Sequence, residues 1–128
     1  IRDSVQPDQT SADFPYRGLK PADAILLASD LSKPSVTGSL TSLRLDYNNI
    51  GAEGAKALAP AIAGIGSLTS LRLYNNQIGA EGAKALAPAI ASNKSLTSLD
   101  IERNNLSDEG KAVIQAAVSG KEGFKLVI

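Results

Sequence analysis

Residues 39–66 and 67–94 are near copies of one another, and this repetition constrains the fold more than any other feature of the chain. The first copy reads SLTSLRLDYNNIGAEGAKALAPAIAGIG and the second SLTSLRLYNNQIGAEGAKALAPAIASNK, differing at six of 28 positions. Ser39, Ser67 and Ser95 each open the segment Ser-Leu-Thr-Ser-Leu, so a third copy begins at residue 95 before it diverges. Within each copy the apolar spacing changes partway along. Leu43 and Leu45 alternate with Ser42, Arg44 and Asp46, the period of a strand buried on one face. Ala55, Leu58, Ala59 and Ile62 follow at spacings of three and four, which gather on one face of a helix. Neither element covers its apolar side alone, so copies must stack, strands in a parallel ladder and helices beside helices. Helices about 10 Å wide need more room than strands about 4.8 Å apart, so the stack curves with its strands inside. The expected class is α/β, a repeat solenoid with parallel strands on the concave face and helices on the convex face. Strands are expected near 42–46, 70–74 and 98–102, and helices near 52–64, 80–92 and 108–119.

Leu40-x-x-Leu43-x-Leu45-x-x-Asn48-x-Ile50 and its copies at Leu68 to Ile78 and Leu96 to Leu106 resemble the leucine-rich repeat consensus. The 28-residue period and the following Gly-Ala-Glu-Gly-Ala-Lys-Ala-Leu-Ala resemble the ribonuclease-inhibitor-like subclass, found also in NOD-like receptors and Ran GTPase-activating proteins. That resemblance implies a leucine-rich repeat solenoid, and for the Ran-activating relatives a GTPase-activating role.

The flanks are less regular. Leu19 to Leu31 resembles Ile50 to Ile62 when shifted by 31 residues, with Pro21 suited to a first helical turn. The expected organisation is an irregular arm at 1–18 and a degenerate capping repeat at 19–38. Repeats follow at 39–66, 67–94 and 95–122, then a truncated terminal strand at 123–128, with 19–128 as one structural domain. Phe124 and Val127 stand 28 residues after Leu96 and Leu99, which predicts a strand there. An uncovered edge at this strand makes self-association through it an expectation.

Composition removes most chemistries. Thirteen Lys and Arg balance thirteen Asp and Glu, so no basic field favours nucleic acid or an anionic membrane, and neither is expected as a partner. The chain contains no His and no Cys, which removes the commonest general base, thiol nucleophiles and disulfides, and no cofactor or metal is expected. No apolar run is long enough to span a bilayer, and the first residues do not resemble a signal peptide; the compartment is left open, with the cytoplasm favoured. Gly51, Gly54, Gly79 and Gly82 lack the Lys-Ser or Lys-Thr of a phosphate loop and read as turning and close-packing positions. Glu53, Glu81 and Glu109 complement helix dipoles. Pro60 and Pro88 read as outward-facing helical positions. Asn48, Asn76 and Asn104 read as a structural ladder whose amides satisfy backbone groups of the turn.

The informative positions are those that vary inside the copied frame: Arg44, Arg72 and Asp100; Asp46, Tyr74 and Glu102; Tyr47, Asn75 and Arg103. Tyr and Arg are frequent anchors of protein interfaces. The expected function is a non-enzymatic module that binds a partner protein or peptide on these residues of the concave face. Two alternatives stand beside it: a consensus-like or engineered scaffold with no dedicated ligand, and a GTPase-activating or other regulatory role by family analogy.

Overall fold

The computed structural model of the chain describes Val5 and residues 9–128. Five short strands, β1 (Ser11–Asp13), β2 (Ser42–Arg44), β3 (Ser70–Arg72), β4 (Ser98–Asp100) and β5 (Lys125–Val127), form one sheet in chain order. Every neighbouring pair is parallel. Between them run α1 (Pro21–Leu31), the short α2 (Pro34–Thr37), α3 (Gly51–Gly64), α4 (Gly79–Ser92) and α5 (Ser107–Val118). Helices α1, α3, α4 and α5 pack side by side in that order. The result is the α/β repeat solenoid that the periodicity requires, strands along one side and helices along the other.

The regular strands are shorter than expected, but their backbone pairing continues beyond them. Leu45 and Tyr47 donate their N–H groups to the carbonyls of Arg72 and Tyr74, and Leu73 and Asn75 do the same to Asp100 and Glu102. The apolar columns meet behind the sheet: Leu43, Leu45, Leu58, Ile62, Leu71, Leu73, Leu86, Ile90, Leu99, Ile101 and Ile114 are buried. Val118, which replaces Ile62 in the third copy, is half-buried.

Two expectations are corrected. Part of the segment read as an irregular arm is a strand: Ser11–Asp13 pairs with Ser42–Arg44, Ala12 is buried, and Phe14 donates its N–H to the Arg44 carbonyl. The 31-residue offset that relates α1 to α3 therefore reaches back into this strand. Residues 1–4 and 6–8 of the arm lie outside the described residues. At the other end the register is one residue short of 28: Leu126 pairs with Leu99, and Val127 pairs with Asp100. A one-residue slip exchanges faces, so Leu126 takes the inward place expected of Val127, which is exposed.

The repeated glycines serve two needs. Gly51 and Gly79 have φ of +67° and +69°, the left-handed region where a side chain is strained. Ser107 holds the same place in the third copy at φ 61°. Gly54, Gly82 and Gly110 let neighbouring helices approach. A Cβ on Gly82 would lie 2.5 Å from Ile78 Cγ2 and 3.2 Å from the Ala55 Cβ. Pro60 and Pro88 are exposed on the helical side, as expected.

Leu71→Ala is expected to lower the free energy of unfolding by about 2 to 5 kcal/mol in a denaturant titration, through the cavity it leaves. Gly82→Ala should cost about 1 to 3 kcal/mol despite the better helix propensity of alanine, because the added methyl has no room. A stabilised Gly82→Ala chain would contradict the close approach of α3 and α4.

Candidate functional site

The strand face rests on an asparagine in each turn. Asn48 Nδ2 donates to the carbonyls of Phe14 and Leu45, both at 2.9 Å, and its Oδ1 accepts from the N–H groups of Arg17 and Leu19 at 3.0 Å. Asn76 Nδ2 bridges Leu45 and Leu73 at 2.8 and 3.1 Å, and Asn104 Nδ2 bridges Leu73 and Ile101 at 2.8 and 2.9 Å. Asn104 Oδ1 also accepts from the Asn76 and Ile78 N–H groups. All three side chains are buried. Each Nδ2 thus ties its own turn to the preceding repeat, while Asn76 Oδ1 is buried without a hydrogen-bond partner.

Another buried asparagine was not anticipated from the repeat pattern. Asn93 Nδ2 donates to the carbonyls of Ile62 and Ile65, while its Oδ1 accepts from Ser95 and Leu96 N–H groups. It occupies the column of Ile65 and Lys121, so only its polarity among unlike residues marks it in the sequence.

Outside this frame the varied positions fall into two clusters. Asp46 belongs by sequence to the outward column, yet it is 1% exposed and is no part of an accessible surface. Its Oδ2 accepts from Arg44 Nε at 3.2 Å and Arg72 Nε at 3.0 Å, and its Oδ1 accepts from the Tyr74 N–H at 3.1 Å. Asp100 stands 3.8 Å from the Arg72 guanidinium and accepts from the Glu102 N–H. A buried carboxylate needs such partners. The same bonds hold the two half-exposed arginines down across the sheet.

The second cluster is aromatic. Tyr16 and Tyr47 are stacked, with ring centroids 4.4 Å apart and planes 10° from parallel; Tyr47 and Tyr74 lie 5.1 Å apart at 55°. Tyr16 comes from the arm and was missed as a site residue. Its signal was the 31-residue offset, which sets it opposite Tyr47, and its N–H bonds the Asp46 carbonyl at 3.1 Å. Tyr16 and Tyr47 have φ of 56° and 58°, as do Asn75 and Arg103 of the same column at 57°. This conformation turns the chain out of the sheet at the same point in each repeat. Tyr16 is 70% and Tyr47 39% exposed. Asn75 is half-buried, and Glu102 and Arg103 are exposed further along the solenoid.

Desolvation first, and then Tyr47, raises the Tyr16 phenol above its ordinary value of 10.0; desolvation and the Tyr47 hydroxyl raise Tyr74 likewise. Water still screens Tyr16 at its 70% exposure, so the shift matters for protonation state and not for stability. Both hydroxyls keep their protons throughout the neutral range.

The helical side differs in character. Glu53 and Glu81 pair with Lys56 and Lys84 at 3.1 and 3.3 Å, and Glu109 also meets Lys84. Shallow apolar grooves of about 590 and 490 Å³ run between α3 and α4 and between α4 and α5, walled by alanines and by Pro60 and Pro88. Among the described residues no cluster of Asp and Glu is arranged to hold a metal, and no helix is long and apolar enough to cross a membrane.

A family model described as Leucine Rich repeat matches residues 39–59, 67–87 and 92–111, one match for each copy. The chain is a leucine-rich repeat protein. No curated protein matches it individually. Leucine-rich repeats generally mediate protein–protein interaction and are typically non-enzymatic.

Asp46→Ala is expected to cost about 1 to 3 kcal/mol, since it leaves the part-buried Tyr74 N–H without its acceptor and removes the carboxylate that Arg44 and Arg72 share. In a phenol absorbance titration Tyr16 and Tyr74 should ionise above pH 10. Because their folded values are raised, ionisation of these two phenols in the folded chain lags behind that of free tyrosine as pH rises. Titration of Tyr16 and Tyr74 at the free value would contradict the cluster.

Proposed function

We propose that this leucine-rich repeat protein is a non-enzymatic recognition module whose strand face binds a partner protein or a peptide from one. The observation that carries this reading is the pairing of an exposed tyrosine cluster with arginines already held in place by Asp46. Tyr and Arg bury area and retain hydrogen-bonding tips, and pre-organised side chains lose less entropy on binding. Arg44, Tyr47, Arg72 and Tyr74 form the centre of the proposed surface. Asn75, Asp100, Glu102 and Arg103 form its margin, while Asp46 supports it from below. The 28-residue period and the Gly-Ala-Glu-Gly-Ala segment support the ribonuclease-inhibitor-like subclass.

Affinity capture tests this. The intact chain is compared with one carrying Arg72→Ala and Tyr74→Ala, and a partner recovered by the intact chain is then purified and titrated against both. Loss of roughly tenfold or more in affinity, with the helical content unchanged, is expected for the double variant. Equal affinity would place recognition elsewhere on the solenoid.

Association of two copies through β5 belongs to the same proposal. β5 is the last strand of the sheet and Val127 is exposed on it. A concentration series in light scattering should show mass rising for the unmodified chain and staying monomeric for Val127→Lys. A chain that remains monomeric at high concentration would overturn this part.

A further inference from the structure

We propose that the occupant of the strand face is an extended, uncharged segment rich in proline, seated on the Tyr16, Tyr47 and Tyr74 rings; this rests on the binding-face reading above and names the class of partner. Arg44 and Arg72 both bond the buried Asp46, and Arg72 lies close to Asp100 as well, so the two arginines at the centre of this face are already answered by fixed anions. An acidic segment would have to compete with carboxylates that cannot move away. Selection by net charge is correspondingly weak.

The Asp46 oxygens are taken up by two arginines and the Tyr74 N–H, and one Asp100 oxygen by the Glu102 N–H. The remaining guanidinium N–H groups can donate and cannot accept, and each phenol keeps one O–H donor beside its acceptor oxygen. A proline-rich segment has the complementary need: its backbone carries carbonyls without N–H groups, and its polyproline helix is extended with those carbonyls unpaired.

Among the described residues Tyr16 and Tyr47 are two of the few large apolar side chains left exposed, and they adjoin Tyr74 in a continuous aromatic surface across three repeats. Aromatic-lined surfaces suit pyrrolidine rings, and the polyproline conformation is formed before binding, so little entropy is lost on docking.

The sequence supplies its own probe. Tyr16, Tyr47 and Tyr74 are the only tyrosines and there is no tryptophan, so intrinsic fluorescence reports on this cluster alone. The full chain is titrated with decaproline, decaglutamate and decalysine, and the backbone amides are mapped by NMR. Saturable change in tyrosine emission with decaproline is expected, with amide shifts centred on residues 16, 47 and 74. Binding should weaken roughly tenfold or more in Tyr47→Ala and be largely kept in Tyr47→Phe. Tighter binding of decaglutamate or decalysine at the same amides would overturn the proline assignment and leave the binding face standing. Decaproline shifts confined to the helices would overturn both. No response to decaproline would overturn the assignment, and the affinity-capture comparison would decide the face separately.

Discussion

Everything in this structure depends on the fact that one repeat cannot satisfy its own turn. Each strand ends in backbone carbonyls and N–H groups that turn away from the sheet, and a buried group left unpaired costs about 1 to 3 kcal/mol. The asparagine of each turn reaches both its own strand end and the repeat before it, as Asn76 does between Leu45 and Leu73. Serine and threonine hydroxyls repeat the device at the start of the strands: Thr69 bonds the Thr41 carbonyl, and Ser67 and Ser95 bond those of Leu40 and Leu68. Hydrogen bonds and leucines therefore impose the same register from two sides.

That register accounts for the strand face. Side chains at equivalent positions are held one strand apart, so a change of residue type in a single column places unlike groups in contact. Asp46 beside Arg44 and Arg72, and Tyr16 beside Tyr47, are consequences of stacking and need no local rearrangement. The helical side is held by the same repetition but varies less, and it presents paired Lys and Glu above alanine-walled grooves.

The solenoid was legible because its period is carried by residues whose burial is obligatory. Leu43, Leu45, Leu58 and Ile62 recur without change through two copies, and both the element types and their parallel order follow from them. Less legible were the places where spacing departs from 28. The first repeat is longer by three residues, with α2 lying between α1 and β2, so β1 and Tyr16 are out of phase with the copies that follow. The terminal strand is shorter by one, which exchanged the roles of Leu126 and Val127. Asp46 was legible as a member of the outward column but not as buried, because its burial comes from two arginines and a backbone amide contributed partly by the next repeat.

The asparagine ladder couples each repeat to its neighbour, and hydrogen exchange on an Asn76→Ala chain tests this most directly. Backbone amides on both sides of the affected junction, Leu45 and Gly51 in one repeat and Leu73 and Gly79 in the next, bond across repeats in the intact protein. Their protection should fall together in the variant, by about tenfold or more for each buried group left unpaired. Protection at these four amides that matches the unmodified chain would contradict this coupling.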